Sequence, residues 1–280
     1  MRARIPLWAS AVGVLATLTS CSSGSKAPQP GTPAFYWSAA KIAYHAGDFR
    51  VANQNLTELI RGDNEYTVRA RPLAMVVSAG LARGYADLAG GYEAGARANR
   101  PNPTPFRKQV TTSRSMASAA AMDFAEGMHV FLQKDKDPEI LLACEYPTGS
   151  MAEPAALRRV ASGVLIQDSE KDSLESAMIQ RGVLQTMAQM VGAPDDSAKT
   201  LELFKAGEPK IPRATFVFAT AKALYDASTV FGPNKLDQPG RLEALCNEAT
   251  EGLKSIPETK DAKALAAKIQ AALKKPKTSI

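Results

Sequence analysis

Histidine is almost missing from this chain of 280 residues. His45 and His129 are its two copies, too few for a histidine-rich metal site. Glu126-Gly127-Met128-His129 has the Glu-x-x-His spacing of di-iron bundles, with Asp123 on the same helical face. Such a site takes a second copy and two further carboxylate helices, and no second Glu-x-x-His occurs. A half-buried histidine beside a helical ion-pair neighbour is the simpler reading of His129. There is no Gly-x-Ser-x-Gly elbow and no glycine-rich phosphate cradle between a strand and a helix. No apolar run reaches the roughly 20 residues that a membrane span needs. Lysine and arginine cluster only at Lys274-Lys275-Pro276-Lys277, a frayed, solvated end, so the chain lacks a nucleic-acid footprint. Together these absences exclude the common catalytic constellations, and no enzymatic role, metal or dissociable cofactor is expected.

What is present begins at the N-terminus. Arg2 and Arg4 form a basic start, Ile5 to Thr17 a short apolar core interrupted by Pro6, and small residues follow. The tetrad Leu18-Thr19-Ser20-Cys21 resembles the lipobox of bacterial lipoproteins. The resemblance implies a signal peptide over residues 1–20 and a covalent lipid on Cys21; the alternative is an ordinary cleaved signal with a chance cysteine. Residues 21–33 are rich in Gly, Ser and Pro without apolar periodicity, the composition of a flexible tether. Buried acyl carbons at about 0.8 kcal/mol per CH₂ anchor such a protein without a span. Ser22 resembles the residue found after the lipidated cysteine in lipoproteins sent to the outer membrane, so the expected location is that membrane, facing the periplasm. Loss of Arg2 and Arg4 with the leader lowers the formal charge from +6 to +4, a modest excess. With Cys21 acylated, Cys144 and Cys246 remain: either they pair in an oxidising compartment, or both are small apolar residues inside helices.

Strand patterns are nearly absent, while Ala, Leu, Met, Glu, Lys and Gln recur at helical spacing. The expected fold is all-α, with antiparallel helix pairs in a TPR-like α-solenoid or a closed helical bundle. One domain is expected over 34–275 and a disordered tail over 276–280. From Ala34 to Ile60 the chain reads as a hairpin: Tyr36, Ala39, Ala40 and Ala43 at helical spacing, then Gly47-Asp48-Phe49, then Ala52, Leu56, Leu59 and Ile60. Gly47 is suited to the left-handed conformation that ends a helix, and Asp48 to capping the next. Ala40, Gly47-Asp48, Phe49, Ala52 and Leu56 resemble the tetratricopeptide repeat over about 30 residues. The repeat's closing proline would fall at Asn64.

Helices are further predicted over Pro72–Ala98, then to Gln133 after the break Asn99–Pro105, then from a cap at Ser169 to Gly192. Shorter ones follow over Ala198–Ala206, Arg213–Phe231, Arg241–Ile256 and Asp261–Lys274, with Asp135–Ser150 as an irregular connection. Gly80-x-x-x-Gly84 lies among Arg83, Asp87 and Glu93, so it predicts close approach of a neighbouring helix rather than a membrane dimer face.

Aromatic residues concentrate in the first third, where helical stripes are usually core. The functional alternative is a concave groove or pore lined by Tyr44, Tyr85 and Tyr92, whose neighbours are small. The leading expectation is a lipid-anchored envelope scaffold that binds a protein or peptide partner through its helical surface. A second resemblance is to the T component of TRAP-type transporters. It rests on the lipobox, the early hairpin, the glycine- and tyrosine-rich helix and the late Tyr225…Phe231…Leu242-x-x-Leu245 pattern. It implies an oligomer with a passage for a small-molecule solute.

Overall fold

The first helix starts where its caps require. In the computed structural model, which describes residues 28–274 other than 195 and 206, the Thr32 hydroxyl accepts from the Phe35 amide and Pro33 takes the first helical position. The signal peptide, Cys21, most of the tether and the tail 276–280 lie outside the described residues. The described chain is all-α. Its helices are α1 (Pro33–His45), α2 (Phe49–Ile60), α3 (Thr67–Ala98), α4 (Thr104–Lys134), α5 (Ala155–Ala161), α6 (Asp168–Met190), α7 (Ser197–Lys205), α8 (Arg213–Ser228), α9 (Pro239–Lys254) and α10 (Lys260–Lys274).

The α1–α2 hairpin forms as the sequence predicts. Gly47 is left-handed at φ 77°, and the Asp48 carboxylate accepts from the Val51 amide at 3.2 Å. Phe49 is buried edge-on against Tyr44, ring centroids 5.4 Å apart. The hairpin is not repeated, because the next two helices are 32 and 31 residues long against 13 and 12 for α1 and α2.

Three local boundaries differ from the sequence reading. Helix α3 begins at Thr67, five residues before Pro72, which is accommodated inside the helix near its start. Asn64 and Thr67 stabilise this entry: the Asn64 amide donates to the Thr67 hydroxyl, and the Asn64 carboxamide accepts from Tyr66. Helix α6 is entered from Gln167, whose amide donates to the Glu170 carboxylate, and not from Ser169. Within the irregular connection, Glu139–Leu141 (β1) pairs antiparallel with Lys210–Pro212 (β2), Ile140 opposite Ile211.

Every residue from Arg71 to Ala82 is buried, so α3 is surrounded. Helix α4 packs along it through Phe106, Val110, Ser113, Ala117, Ala121, Phe124, Met128 and Phe131, an inner face with alternating steps of mostly three and four residues. Helix α6 crosses on another side, at a point where side chains would not fit. A Cβ on Gly182 would lie 2.3 Å from the Gly80 carbonyl and 2.7 Å from the Gly84 nitrogen. The predicted close neighbour of Gly80 and Gly84 is therefore α6.

Helices α2, α5 and α8 complete the surround, and α9 and α10 extend the bundle through α8. A central helix touched by both halves of the chain is the packing of a bundle, whereas solenoid repeats touch only their sequence neighbours. One buried cluster runs from Ala40 to Ile269. Inside it, Arg71 at the start of α3 pairs with Asp135 at the end of α4, both almost fully buried, and Arg213 of α8 donates to the Asp135 carbonyl.

Candidate functional site

The inner face of α4 is committed to α3, which leaves its outer face to form the floor of a groove. Small and polar residues recur there at one-turn spacing, Thr111, Ser115, Ser118, Ala119 and Asp123, with Met122 as a larger apolar residue among them. Short side chains on a straight helix between taller neighbours leave a channel. On one side stands α2, presenting Asn53, Thr57 and Glu58. On the other is the segment after a short 3₁₀ turn, Thr229–Phe231, with Leu236, Gln238 and the first turn of α9 at Arg241. That segment is held by its own backbone: Leu236 donates to Val230 and Gln238 to Phe231, while Asn234 and Asp237 take left-handed conformations.

Three hollows follow one another along this floor, each sharing a residue with the next. The first, about 690 Å³, lies over the start of α4. The second, about 470 Å³, joins the first through Thr111, and the third, also about 470 Å³, joins the second through Asp123. From Arg107 to Asp123 the floor extends about 24 Å, at 1.5 Å per helical residue.

The chemistry changes along that length. Arginines crowd the first hollow. In the second, Arg241 donates to Ser118 at 2.7 Å, and the buried Gln238 Oε1 has no donor among the described residues. In the third, Asn53 donates to Asp123 at 3.4 Å. Desolvation by the groove walls pushes the Asp123 carboxyl above its usual range, and the Asn53 hydrogen bond pulls it partly back. The floor and walls thus offer hydrogen-bond donors, acceptors and a few apolar contacts, the surface of a polar recognition groove.

The three tyrosines named from the sequence do not line this groove. All are core residues, 2–4 % exposed. Tyr85 and Tyr92 lie seven residues apart on the face of α3 that α6 covers, and both sense Glu175: Tyr85 donates to it at 3.0 Å, and Arg50 reaches it at 3.2 Å. Burial first, then the Glu175 charge, pushes Tyr85 up to about 12 and Tyr92 in the same direction. Tyr44 stands apart from them. Its hydroxyl donates to the Glu145 carbonyl at 2.9 Å beside a small hollow of about 160 Å³. Burial raises its pKa as well. The three tyrosines share no common groove: α6 approaches closely at Gly84 beside Tyr85, α5 at Gly91 beside Tyr92, and Tyr44 borders a separate hollow.

His129 contacts Glu248 of α9 at 3.1 Å and Gln133 at 2.8 Å. No group of three or more metal-capable side chains occurs among the described residues. Cys144 and Cys246 are both free and buried; Cys246 lies inside α9, as the second sequence alternative has it, whereas Cys144 lies in the loop after β1 and not in a helix. Burial pushes the Cys144 thiol up to about 12, which leaves it a poor nucleophile. No helix among the described residues is long and apolar enough to cross a membrane.

The groove itself was not found from the sequence, because its walls come from segments far apart in the chain. Its arginine end carried a usable signal: Arg97, Arg100, Arg107 and Arg114 flank the proline-rich turn that brings α3 and α4 together. Comparison with protein-family models, curated proteins and solved structures returned no match.

Proposed function

We propose that this chain is a binding module, held at the bacterial envelope by a lipid on Cys21, that receives a segment of a partner protein along the outer face of α4. The observation that carries this reading is the row of hollows over Thr111, Ser115, Ser118 and Asp123. Its length of about 24 Å suits some seven extended residues at roughly 3.3–3.6 Å each. Its polar lining suits a backbone that brings its own donors and acceptors. In this reading the protein is not an enzyme, and its covalent lipid is its only non-protein group. The Ser22 context supports an outer-membrane location facing the periplasm.

A photo-crosslinking residue placed at Ser115 in living cells tests this. The expected result is one dominant adduct that is absent when the same residue replaces Glu251, which lies on exposed α9 surface. Equal adduct patterns from the two positions would remove the groove as a docking site.

A second reading is supported by the first hollow, whose volume falls in the range of small-molecule sites, about 300–1,000 Å³. It is the solute-handling role implied by the resemblance to TRAP-associated T components. That role requires an oligomer, so sedimentation as a monodisperse monomer would count against it.

A further inference from the structure

The first hollow differs from the rest of the groove in charge. Arg97 comes from the last turn of α3, Arg100 from the turn that follows it, and Arg107 and Arg114 from the first three turns of α4, so the hairpin gathers four guanidinium groups around one concavity. The only acid in its lining is Glu93, and it is already shared, 3.2 Å from Arg97 and 2.9 Å from Arg114. The side chain of Arg114 is 13 % exposed, so this pair forms a fixed back wall. Arg100 and Arg107 have no carboxylate within 4.0 Å among the described residues.

A second feature reinforces the first. Helix α4 starts from Pro103, which offers no capping side chain, and its first turn holds no acid. The positive end of the helix dipole is left without a side-chain counterpart, and Pro103 and Arg107, which flank that end, both line the cleft. Most helix starts in globular proteins carry Ser, Thr, Asp or Asn there. Here a ligand can supply the missing negative charge.

We infer that this cleft between α3 and α4 binds a phosphate-bearing ligand. Two free guanidinium forks beside the positive end of α4 offer more donors than one carboxylate can accept, whereas a phosphomonoester presents three terminal oxygens and up to two charges. The space exceeds that of a bare phosphate, and Ala96, Pro103 and Val110 give it an apolar wall for the organic part of the ligand. The inference goes beyond the docking role of the groove and stands independently of it. The same monoester occurs in soluble phosphorylated compounds and in the headgroup of phosphatidic acid, and the test separates the two.

The full chain carrying Cys21→Ser, so that no acyl group anchors it, is titrated with pyrophosphate at low salt by calorimetry. It is also sedimented with phosphatidylcholine vesicles that do or do not contain phosphatidic acid. One saturable pyrophosphate site is expected, weakened at least tenfold in Arg100→Ala/Arg107→Ala and unchanged in Arg50→Ala/Arg69→Ala. Both of those control arginines lie elsewhere, on α2 and α3. Because Arg100 and Arg107 are exposed, their removal leaves the thermal midpoint in place, which separates loss of binding from loss of fold. Pyrophosphate binding without vesicle pelleting assigns a soluble ligand. Pelleting only with the vesicles that contain phosphatidic acid, lost in the double variant and competed by pyrophosphate, assigns a headgroup. Absence of saturable binding in both arms overturns the inference, as does binding that survives the double variant. Succinate binding as tight as pyrophosphate would also overturn it, by replacing phosphate with carboxylate chemistry.

Discussion

Gly182 and Gly90 are both helical glycines, yet the same substitution acts on them with opposite sign. Around Gly90 nothing lies within 4 Å of a new Cβ, so Gly90→Ala removes only the helix penalty of glycine and should stabilise the protein by about 1 kcal/mol. At Gly182 the new atom meets the backbone of α3 and cannot be relieved by a rotamer change; Gly182→Ala should destabilise by about 2–3 kcal/mol through overpacking. Urea unfolding of both variants checks the pair. Tyr85 gives a second residue-scale expectation. Its pKa is raised in the folded state, so its contribution to stability is complete below about 10, the unfolded value, and is lost as pH rises toward about 12. Between pH 9 and 11.5 the urea midpoint of the native chain should therefore fall further than that of Tyr85→Phe. Equal slopes would show that Tyr85 plays no part in alkaline unfolding.

Among elements, the junction of α3, α4 and α8 depends on one buried charge pair. Asp135 holds Arg71 through its carboxylate and Arg213 through its carbonyl, while Arg213 lies over the ring of Phe131, 4.8 Å from its centroid. Removing Asp135 leaves the buried Arg71 with only the exposed Asp63 carboxylate, 3.8 Å away, as a charge partner, so Asp135→Ala should cost about 3 kcal/mol. Replacing both, as Arg71→Met with Asp135→Leu, should recover most of that loss in the same denaturation assay. Nothing local announced this pair: the two residues are 64 positions apart, and Arg71 precedes a proline that reads as a helix boundary. The α1–α2 turn, by contrast, was legible because Gly47 and Asp48 act on their own immediate neighbours. The β1–β2 ribbon was invisible, since three-residue strands separated by a long stretch of chain carry no periodicity of their own. Helix type followed from composition; the groove did not, because its shape depends on which elements stand beside α4.

For the whole molecule, the position of α3 predicts cooperativity. It contacts α2, α4, α5, α6 and α8, so neither half of the chain keeps its core when α3 is lost. Far-UV and near-UV circular dichroism should report one coincident thermal transition. Two separated transitions would mean that the halves fold independently. The proposed lipid anchor belongs to this scale too: if Cys21 is acylated, Cys21→Ser should move the protein from the membrane fraction to the soluble fraction with that transition unchanged. Full retention on membranes would remove the lipoprotein reading.

The crossing of α3 and α6 also limits how the molecule can move. Gly182 sits between Gly80 and Gly84, with Val183 against the first and Met178 and Ile179 against the second. A one-turn slide of about 5.4 Å along α3, a common way for packed helices to switch, would drive a methionine or threonine side chain into a backbone-to-backbone contact. Any signal from an occupied groove must therefore pass through rotation or release of peripheral elements such as α10, while α3 and α6 behave as one beam.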